Sequence, residues 1–581
     1  MGLALTLGLS AAHAQTPTWT NGAQTVNPAP TNDTGARATA IASDAAGNGY
    51  VIGVLQNGAG SGVPATRAFG STSLSSTTGF GDGFVAKLSP SQQWAWAVRV
   101  NSTGEGLTFS RLAATPAGDV YAGGVTQDDN SPITVGTLTQ ASTSGYKVFV
   151  TRLTTTGQPQ WIAVAPLTAF ASATSRLSMQ SVSWDAAAGN IVVTGIYQGS
   201  ALAFGSTTLP SAPLGGMFVA RLSTAGQWLS AVAAVPTNLG TTAPDLNFYD
   251  AAVGPQGQVA VAFRLRDAQL SLGTTTISAP ASTSGGTAVV AQLSAANQWQ
   301  WATVPTNSSN SLYYTTSDMK YDPSGNLWLV ARSSANGLQL GSNTIANTNQ
   351  FVVRLSAAGQ WGVGGSIGAS PSDSPGTPRG LAVDGQGNAV VTGQLRTQTS
   401  YTFGSQVLTT TTTTRTYVAR FSAAGQWQYA QLAPTATNTA GNADYSLNDA
   451  TVDASGNLLA AGSLTGTAVF GTSTLVSAAY GDAIVVKLAN AGVVSALRQK
   501  AGVAPLALFP NPAAAGTLAT LRLPAVSTAA LPVTLRDALG RAVRTSTVPT
   551  GRLEGSVSTA GLAPGLYLLE VGAQRAQLVV E

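Results

Sequence analysis

Three short stretches carry the residue types best suited to chemistry: Asp128 and Asp129; Asp245 and Asp250 with Phe248 and Tyr249; and Tyr313 and Tyr314 with Asp318. An aromatic ring can stack on the apolar face of a sugar while a carboxylate accepts its hydroxyls, and neighbouring carboxylates can share a Ca²⁺. A solvated or loop-packing role competes at each place, because Asp is a common turn former. The rest of the inventory narrows the options further. Among 581 residues there is no Cys, and the one His is His13. Disulfide scaffolds, thiol catalysis and Cys-ligated metals are excluded, and a chain cleaved beyond His13 would also lack histidine bases and His-ligated metals. The glutamates are Glu105, Glu554, Glu570 and Glu581, so aspartate is almost the sole carboxylate. No cofactor and no resident metal are expected.

Charged residues make up 9% of the chain, against about a quarter in an average soluble domain. The net charge of +4 comes with five lysines and no basic run, which leaves nucleic-acid binding without an electrostatic footprint. Yet 44% of residues are hydrophobic and eleven are Trp, enough for large cores. Thr and Val favour strands, and 65 Gly and 28 Pro supply turns, so the composition predicts an all-β protein.

The elements that would hold the three stretches come from internal repeats. A strand-like motif starts at Phe84 (FVAKLSPSQQW), Phe149, Phe218 (FVARLSTAGQW), Val289, Phe351, Tyr417 and Ile484, about every 67 residues. A turn motif of the Asp-x-x-Gly-Asn kind precedes each copy, at Asp44, Thr115, Asp185, Gly254, Asp322, Asp384 and Asp453. A third motif, FGSTTL-like, starts at Phe69, Val135, Phe204, Leu272, Leu340, Phe403 and Phe470. Each unit reads as strand a, the Asp-Gly-Asn turn, strand b, a long connection with the FG element, strand c, a Ser-x-x-Gly-Gln turn, and strand d. The d strands carry Trp94, Trp161, Trp228, Trp299, Trp361 and Trp427, with Val494 at the seventh place. Trp19 stands where an extra d strand would, so residues around it are expected to complete the seventh unit. The repeated Trp reads as core between units rather than as a ligand platform.

Seven four-stranded antiparallel units predict a seven-bladed β-propeller, which shelters strand edges by radial closure. Residues 84 to 96 and 381 to 393 (LAVDGQGNAVVTG) resemble the bacterial seven-bladed β-propeller repeat family, over about residues 19 to 497. The longer b-to-c connection departs from it. The resemblance implies an extracellular or envelope location and no common chemistry. Residues 2 to 12 are apolar and Ala12-His13-Ala14 is an A-x-A cleavage signal, so residues 1 to 14 read as a signal peptide whose start lacks the usual basic region. The propeller is expected over 15 to 497 and a linker over 498 to 504. No later run of 18 apolar residues predicts a transmembrane helix.

From 505 to 581 the period stops and short alternating runs predict a small C-terminal β-sandwich. Phe509-Pro510-Asn511-Pro512, then LRDALGR with Gly540 and Arg541, then LAPGLYLLEV with Gly565 and Tyr567, resemble the type A C-terminal sorting domain of type IX secretion in order, spacing and location. Glu581 departs from the basic terminal residue common there. The resemblance implies a Bacteroidota source, export through the Sec route and across the outer membrane, and cleavage or surface attachment, with the type IX machinery as partner.

In such units the a-to-b and c-to-d turns share one face, and the longer connections share the other. Any ligand site is therefore expected on the long-loop face or at its central mouth. Six c strands place Lys or Arg at one position: Lys87, Arg152, Arg221, Arg354, Arg420 and Lys487, with Gln292 the exception. They are expected to lay their stems on the strand and keep their charges in water. The function expected is a secreted or surface-displayed module that binds a glycan or protein without catalysis. A polysaccharide-degrading enzyme using Asp or Tyr of the long-loop face is the alternative, and it needs two facing carboxylates. A self-associating surface-layer component is a third reading.

Overall fold

A computed structural model describes residues 17–491 and 506–581, apart from 29–33, 58–62, 77–80, 103–106, 127–130, 142–144, 170–174, 239–244, 280–285, 306–313, 334–337, 342, 346–349, 369–375, 397–399, 411–414, 438–443, 524–525, 527–528, 538–541 and 572–573. The expected signal peptide and linker lie outside the described residues. Among the described residues the protein is all-β with no helix, and none could cross a membrane as a helix. The chain divides into two compact units, Met1–Val494 and Ser495–Glu581.

Seven antiparallel sheets ordered a-b-c-d recur in the first unit; six are four-stranded, and in sheet one Ile133–Val135 and Leu138–Gln140 extend the d edge to six strands. Their a strands are Gly35–Ser43, Thr108–Ala114, Arg176–Asp185, Asp245–Val253, Tyr314–Tyr321, Thr377–Val383 and Asp444–Val452. The b strands, such as Val51 to Leu55 in sheet one, are almost wholly apolar because both faces pack against neighbouring sheets. Seven apolar clusters lie between successive sheets. Phe109 and Phe149 of sheet two pack with Tyr50 and Val85 of sheet one, and Leu459 and Val485 of sheet seven pack with Ile41 and Phe84 of sheet one. The segment expected to complete the seventh sheet does so: Thr18–Gln24 pairs antiparallel with Ser473–Ala489, placing Trp19 opposite Leu488.

The a-to-b turn is built from its own side chains. In sheet one, Asp44 Oδ1 accepts the N–H groups of Ala46 and Asn48 at 3.0 and 2.9 Å, and Asn48 Nδ2 donates to Asp44 Oδ2 at 2.7 Å. Asp322, Asp384 and Asp453 repeat the pattern.

The FG element is more ordered than a long loop. Phe69 pairs with Thr72, Phe204 with Thr207 and Phe403 with Gln406, each across a two-residue turn. The turn glycines, from Gly70 to Gly471, sit at φ between 56° and 62°, the first position of a type II′ hairpin. The hairpin packs on the Trp of its own sheet: Phe69 on Trp94, Phe204 on Trp228 and Phe403 on Trp427 meet edge to face at 5.1, 4.7 and 5.1 Å. Trp19 and Phe470 make the same contact at 5.2 Å. The hairpins also pair with the end of the preceding sheet, as in the bridges Leu167 to Leu202, Gly368 to Thr402 and Val26 to Ala68.

Two sequence expectations need correction. Trp161 is not equivalent to Trp94. It pairs with Arg152 as Trp96 pairs with Lys87 and Trp301 with Gln292, while Pro159 takes the Trp94 place opposite Leu153. Its Nε1 accordingly donates forward to Thr224 O of the next sheet at 3.0 Å, whereas Trp94 and Trp228 donate back to Gln24 O and Val164 O. The c-strand cations, second, do not all keep their charges in water. Arg221 and Arg420 are buried against Asp185 and Asp384 of their own a-to-b turns, at 2.8 and 2.5 Å. Arg152 pairs with Asp119 at 2.9 Å. The a-to-b turn carboxylate is a nearby acceptor that removes the need to reach solvent.

The second unit has a three-stranded sheet (Ala507–Phe509, Leu518–Arg522, Glu554–Ser558) and a four-stranded sheet (Ala542–Val548, Leu531–Arg536, Gly565–Val571, Gln574–Val580) around one apolar core containing Leu521, Leu535 and Leu569.

Candidate functional site

One cavity of about 340 Å³ is lined by residues from all seven a strands, including Ile41, Arg111, Ser181, Asp250, Asp318, Arg379 and Asp449. Every a strand is bulged at the same point, where pairing to strand b slips by one residue. The residue after the slip is Ala40, Arg111, Ser181, Asp250, Asp318, Gly380 and Asp449 in turn. A bulge leaves an extra residue out of the ladder and re-aims its side chain.

Three of these positions are aspartates, and all three make the same contact. Asp250 Oδ2 accepts the N–H of Met319 at 2.8 Å, Asp318 Oδ2 that of Leu381 at 2.7 Å, and Asp449 Oδ2 that of Ile41 at 2.9 Å. Each acceptor lies in one sheet and each donor immediately follows the bulge of the next. Two of the remaining oxygens are also engaged: Asp318 Oδ1 takes Lys320 Nζ at 2.6 Å, and Asp449 Oδ1 takes its neighbour Ala450 N–H at 2.8 Å. Arg111 donates through Nε to Gln180 O of sheet three.

Burial, together with the like charge of Asp318, pushes the Asp250 carboxyl up to about 7. Burial also raises Asp449, to about 6, against the pull of Lys320. Burial works to lower Lys320, but Asp318, Asp449 and Asp250 around it hold its ammonium well above the ordinary value. The Lys320 side chain is 44% exposed and lines the cavity. Three cations (Arg111, Lys320, Arg379) and three aspartates balance formally across the lining. Among the described residues no group of three or more ligating side chains is placed to hold a metal ion.

Of the residues singled out in the sequence, the structure brings Asp250 and Asp318 together here. Phe248 is buried in the core between sheets three and four, and Tyr249 packs on the core between sheets four and five. Asp245 lies at the far end of its strand, bound to Arg264 at 2.5 Å. Tyr314 begins an a strand, while Asp128, Asp129 and Tyr313 lie outside the described residues. Arg111, Lys320, Arg379 and Asp449 escaped the sequence reading. A signal existed: the bulge residue stands four places before each turn motif, and aligning the repeats on that motif puts Asp250, Asp318 and Asp449 in one column.

In the second unit Asn511 ties the loop holding Pro510 and Pro512 to the last strand. Its Nδ2 donates to Gln577 O at 2.7 Å and its Oδ1 accepts Val579 N–H at 2.9 Å, which mimics one rung of a ladder. Tyr567 Oη donates to Ala563 O at 2.8 Å, Gly565 opens the strand paired with Val580, and Phe509 is 45% exposed. Gly540 and Arg541 lie outside the described residues. Residues 507–581 match the secretion system C-terminal sorting domain. The sorting domain implies interaction with the type IX secretion system and marks a secreted or outer-surface protein. No curated protein matches the sequence. Among solved structures, a fungal alcohol oxidase of the AA5 family in complex with copper is 13% identical over 97% of this chain and 99% of that one, with a TM-score of 0.34. A protein of unknown function from Dyadobacter fermentans is 10% identical over 81% of this chain and 99% of that one, also at 0.34. Likenesses at this level carry no argument about fold or chemistry.

Proposed function

We propose that the first unit is a seven-bladed β-propeller acting as a non-catalytic binding module outside the cell, carried there by a type A sorting domain. Support for the propeller comes from seven like sheets, a strands that share one cavity, and a seventh sheet completed by the N-terminal segment. The observation that carries the non-catalytic reading is that Asp250, Asp318 and Asp449 each bond the backbone of the next sheet. Groups committed to joining blades are poorly placed to shuttle protons.

The alternative, polysaccharide hydrolysis, draws on Asp250, whose raised pKa suits a general acid beside the carboxylate of Asp318. A glycan array probed with the secreted protein, followed by a reducing-end assay on each glycan bound, separates the two. Binding without new reducing ends is the expected result. Release of reducing ends that Asp250→Asn abolishes would overturn the reading.

A further inference from the structure

A second cavity, of about 380 Å³, lies between sheets three and four where strands a and b meet the long connections. Arg176 and Gln198, paired across sheet three, line it on one side, and Asp245 and Arg266, paired across sheet four, on the other. Three charges meet there, and their partners differ. Asp245 is neutralised by Arg264, whose Nη2 is 2.5 Å from Asp245 Oδ2. Among the described residues Arg266 has a single loose ion pair, Nη2 at 3.9 Å from the same oxygen, and its side chain stays 39% exposed. Arg176 is exposed, and its side chain has no hydrogen bond or ion pair among the described residues. With Asp245 taken by Arg264, two guanidinium groups remain to set the sign of the cavity, and that sign is positive.

Arg176 has no counterpart among the described rim positions, whereas Arg266 is matched by Arg396 of sheet six, each four residues after the partner of its sheet's bulge residue. The corresponding rim pair is Gly35 with Gln56 in sheet one and Asp444 with Thr465 in sheet seven. Arg176 of sheet three and Arg266 of sheet four open on one cavity. The rest of its wall is Ile196, Tyr197, Leu214 and Leu246, with Gly215 and Gly216. Gly215 sits at φ 91°, a conformation that a side chain at this position would strain. An apolar wall, backbone hydrogen-bonding groups and two planar forks suit a rigid ring bearing one anionic group, and the volume is at the small end for a ligand site.

We propose that this cavity is a subsite for an acidic polysaccharide, with Arg176 and Arg266 gripping the carboxylate or sulfate of one sugar unit. The inference rests on the binding-module reading and names its ligand class. The test is affinity electrophoresis and titration calorimetry of the full secreted chain with polygalacturonate, dextran sulfate, neutral dextran and poly-glutamate. Wild-type protein should bind at least one of the two acidic polysaccharides, and the better of them identifies the anionic group. Arg176→Gln and Arg266→Gln should each weaken that binding about tenfold, the size of one lost charge-assisted hydrogen bond. Arg552→Gln, exposed in the second unit, should leave it unchanged, and melting curves should show all variants folded. Variants that bind like wild type, or poly-glutamate bound as tightly as the polysaccharides, would overturn the subsite. Binding to neutral glycans alone would overturn it too while leaving the binding-module reading intact. Failure to bind any glycan or protein would remove both.

Discussion

Asp318 is the residue on which the central cluster turns, since it accepts a backbone N–H from the next sheet and the ammonium of Lys320 at once. Asp318→Ala removes both and should cost about 2–3 kcal/mol in urea unfolding, the range for hydrogen bonds to a charged group. Asp318→Asn keeps an acceptor for Leu381 and should cost less; equal costs would mean that the charge alone matters. Asp250 and Asp449 give the cluster a pH dependence. Burial raises both above the ordinary carboxylate value near 4. Between about pH 4 and 7 the folded state therefore binds more protons than the unfolded one, and their contribution is full at low pH and lost as pH rises. Lys320, raised above the usual lysine value, loses its contribution only in strong alkali, outside this window. Asp44 acts the opposite way: despite burial, bonds from Asn48 and Tyr50 hold it below its ordinary value, so its contribution is lost towards acid. Comparing Asp250→Asn with wild type isolates one group. The variant should gain melting temperature relative to wild type on going from about pH 5 to pH 8, on the order of a few degrees. A difference that does not change with pH would show that Asp250 is already ionised throughout.

At the scale of elements, six FG hairpins rest on a tryptophan and the second rests on Pro159. The hairpin turn favours glycine through its backbone: Gly404 and Gly341 both sit at φ 61°, and at Gly341 a Cβ would also come within 3.2 Å of Trp361 Cβ. Phe403→Ala empties a fully buried site between Tyr417 and Trp427 and should cost about 3–5 kcal/mol. Val407→Ala, on the exposed side of the same hairpin, should change stability by less than about 0.5 kcal/mol. Chemical denaturation of the two variants checks both, and similar costs would mean that the hairpin does not pack as a unit. The same logic makes the hairpin a link as well as a cap. It rests on the tryptophan of its own sheet and pairs with the end of the sheet before, so losing it loosens two sheets.

For the whole molecule, the N-terminal strand and the sorting domain matter most. Deleting residues up to Gln24 bares the edge of Ser473–Ala489 and strips Trp19 from Phe470. The shortened protein should melt well below the full chain and aggregate through the exposed edge. An unchanged melting temperature would mean that the strand is only an accessory. Removing residues 507–581 should trap the protein inside the cell while leaving the first unit folded, because the two units have separate cores. Cell fractionation followed by immunoblotting reads this directly, and truncated protein outside the cell would contradict export through the sorting domain.

How much of this was legible follows from what each feature depends on. The all-β class, the Asp44-type turns and the pairing of the Trp19 segment depend on local chemistry and spacing, which a chain displays along its length. The sorting motif was readable for the same reason, down to Asn511 between its two prolines. The second place of Trp161 was not, because Pro159 replaces the expected aromatic and only strand register tells the two apart. The c-strand cations misled because a stem that can reach water can equally reach a turn carboxylate, and distance in space decides. Phe248 and Asp250 looked like one cluster in sequence, but a strand sends residues two apart to one face only while its ladder is regular. The slip between Phe248 and Asp250 sends one into a core and the other into the shared cavity. Asp449 and Asp250 are far apart in the chain and meet through Lys320 only because successive a strands line one space. Sequence alone determined the units and their address, and packing between units decided which charges meet.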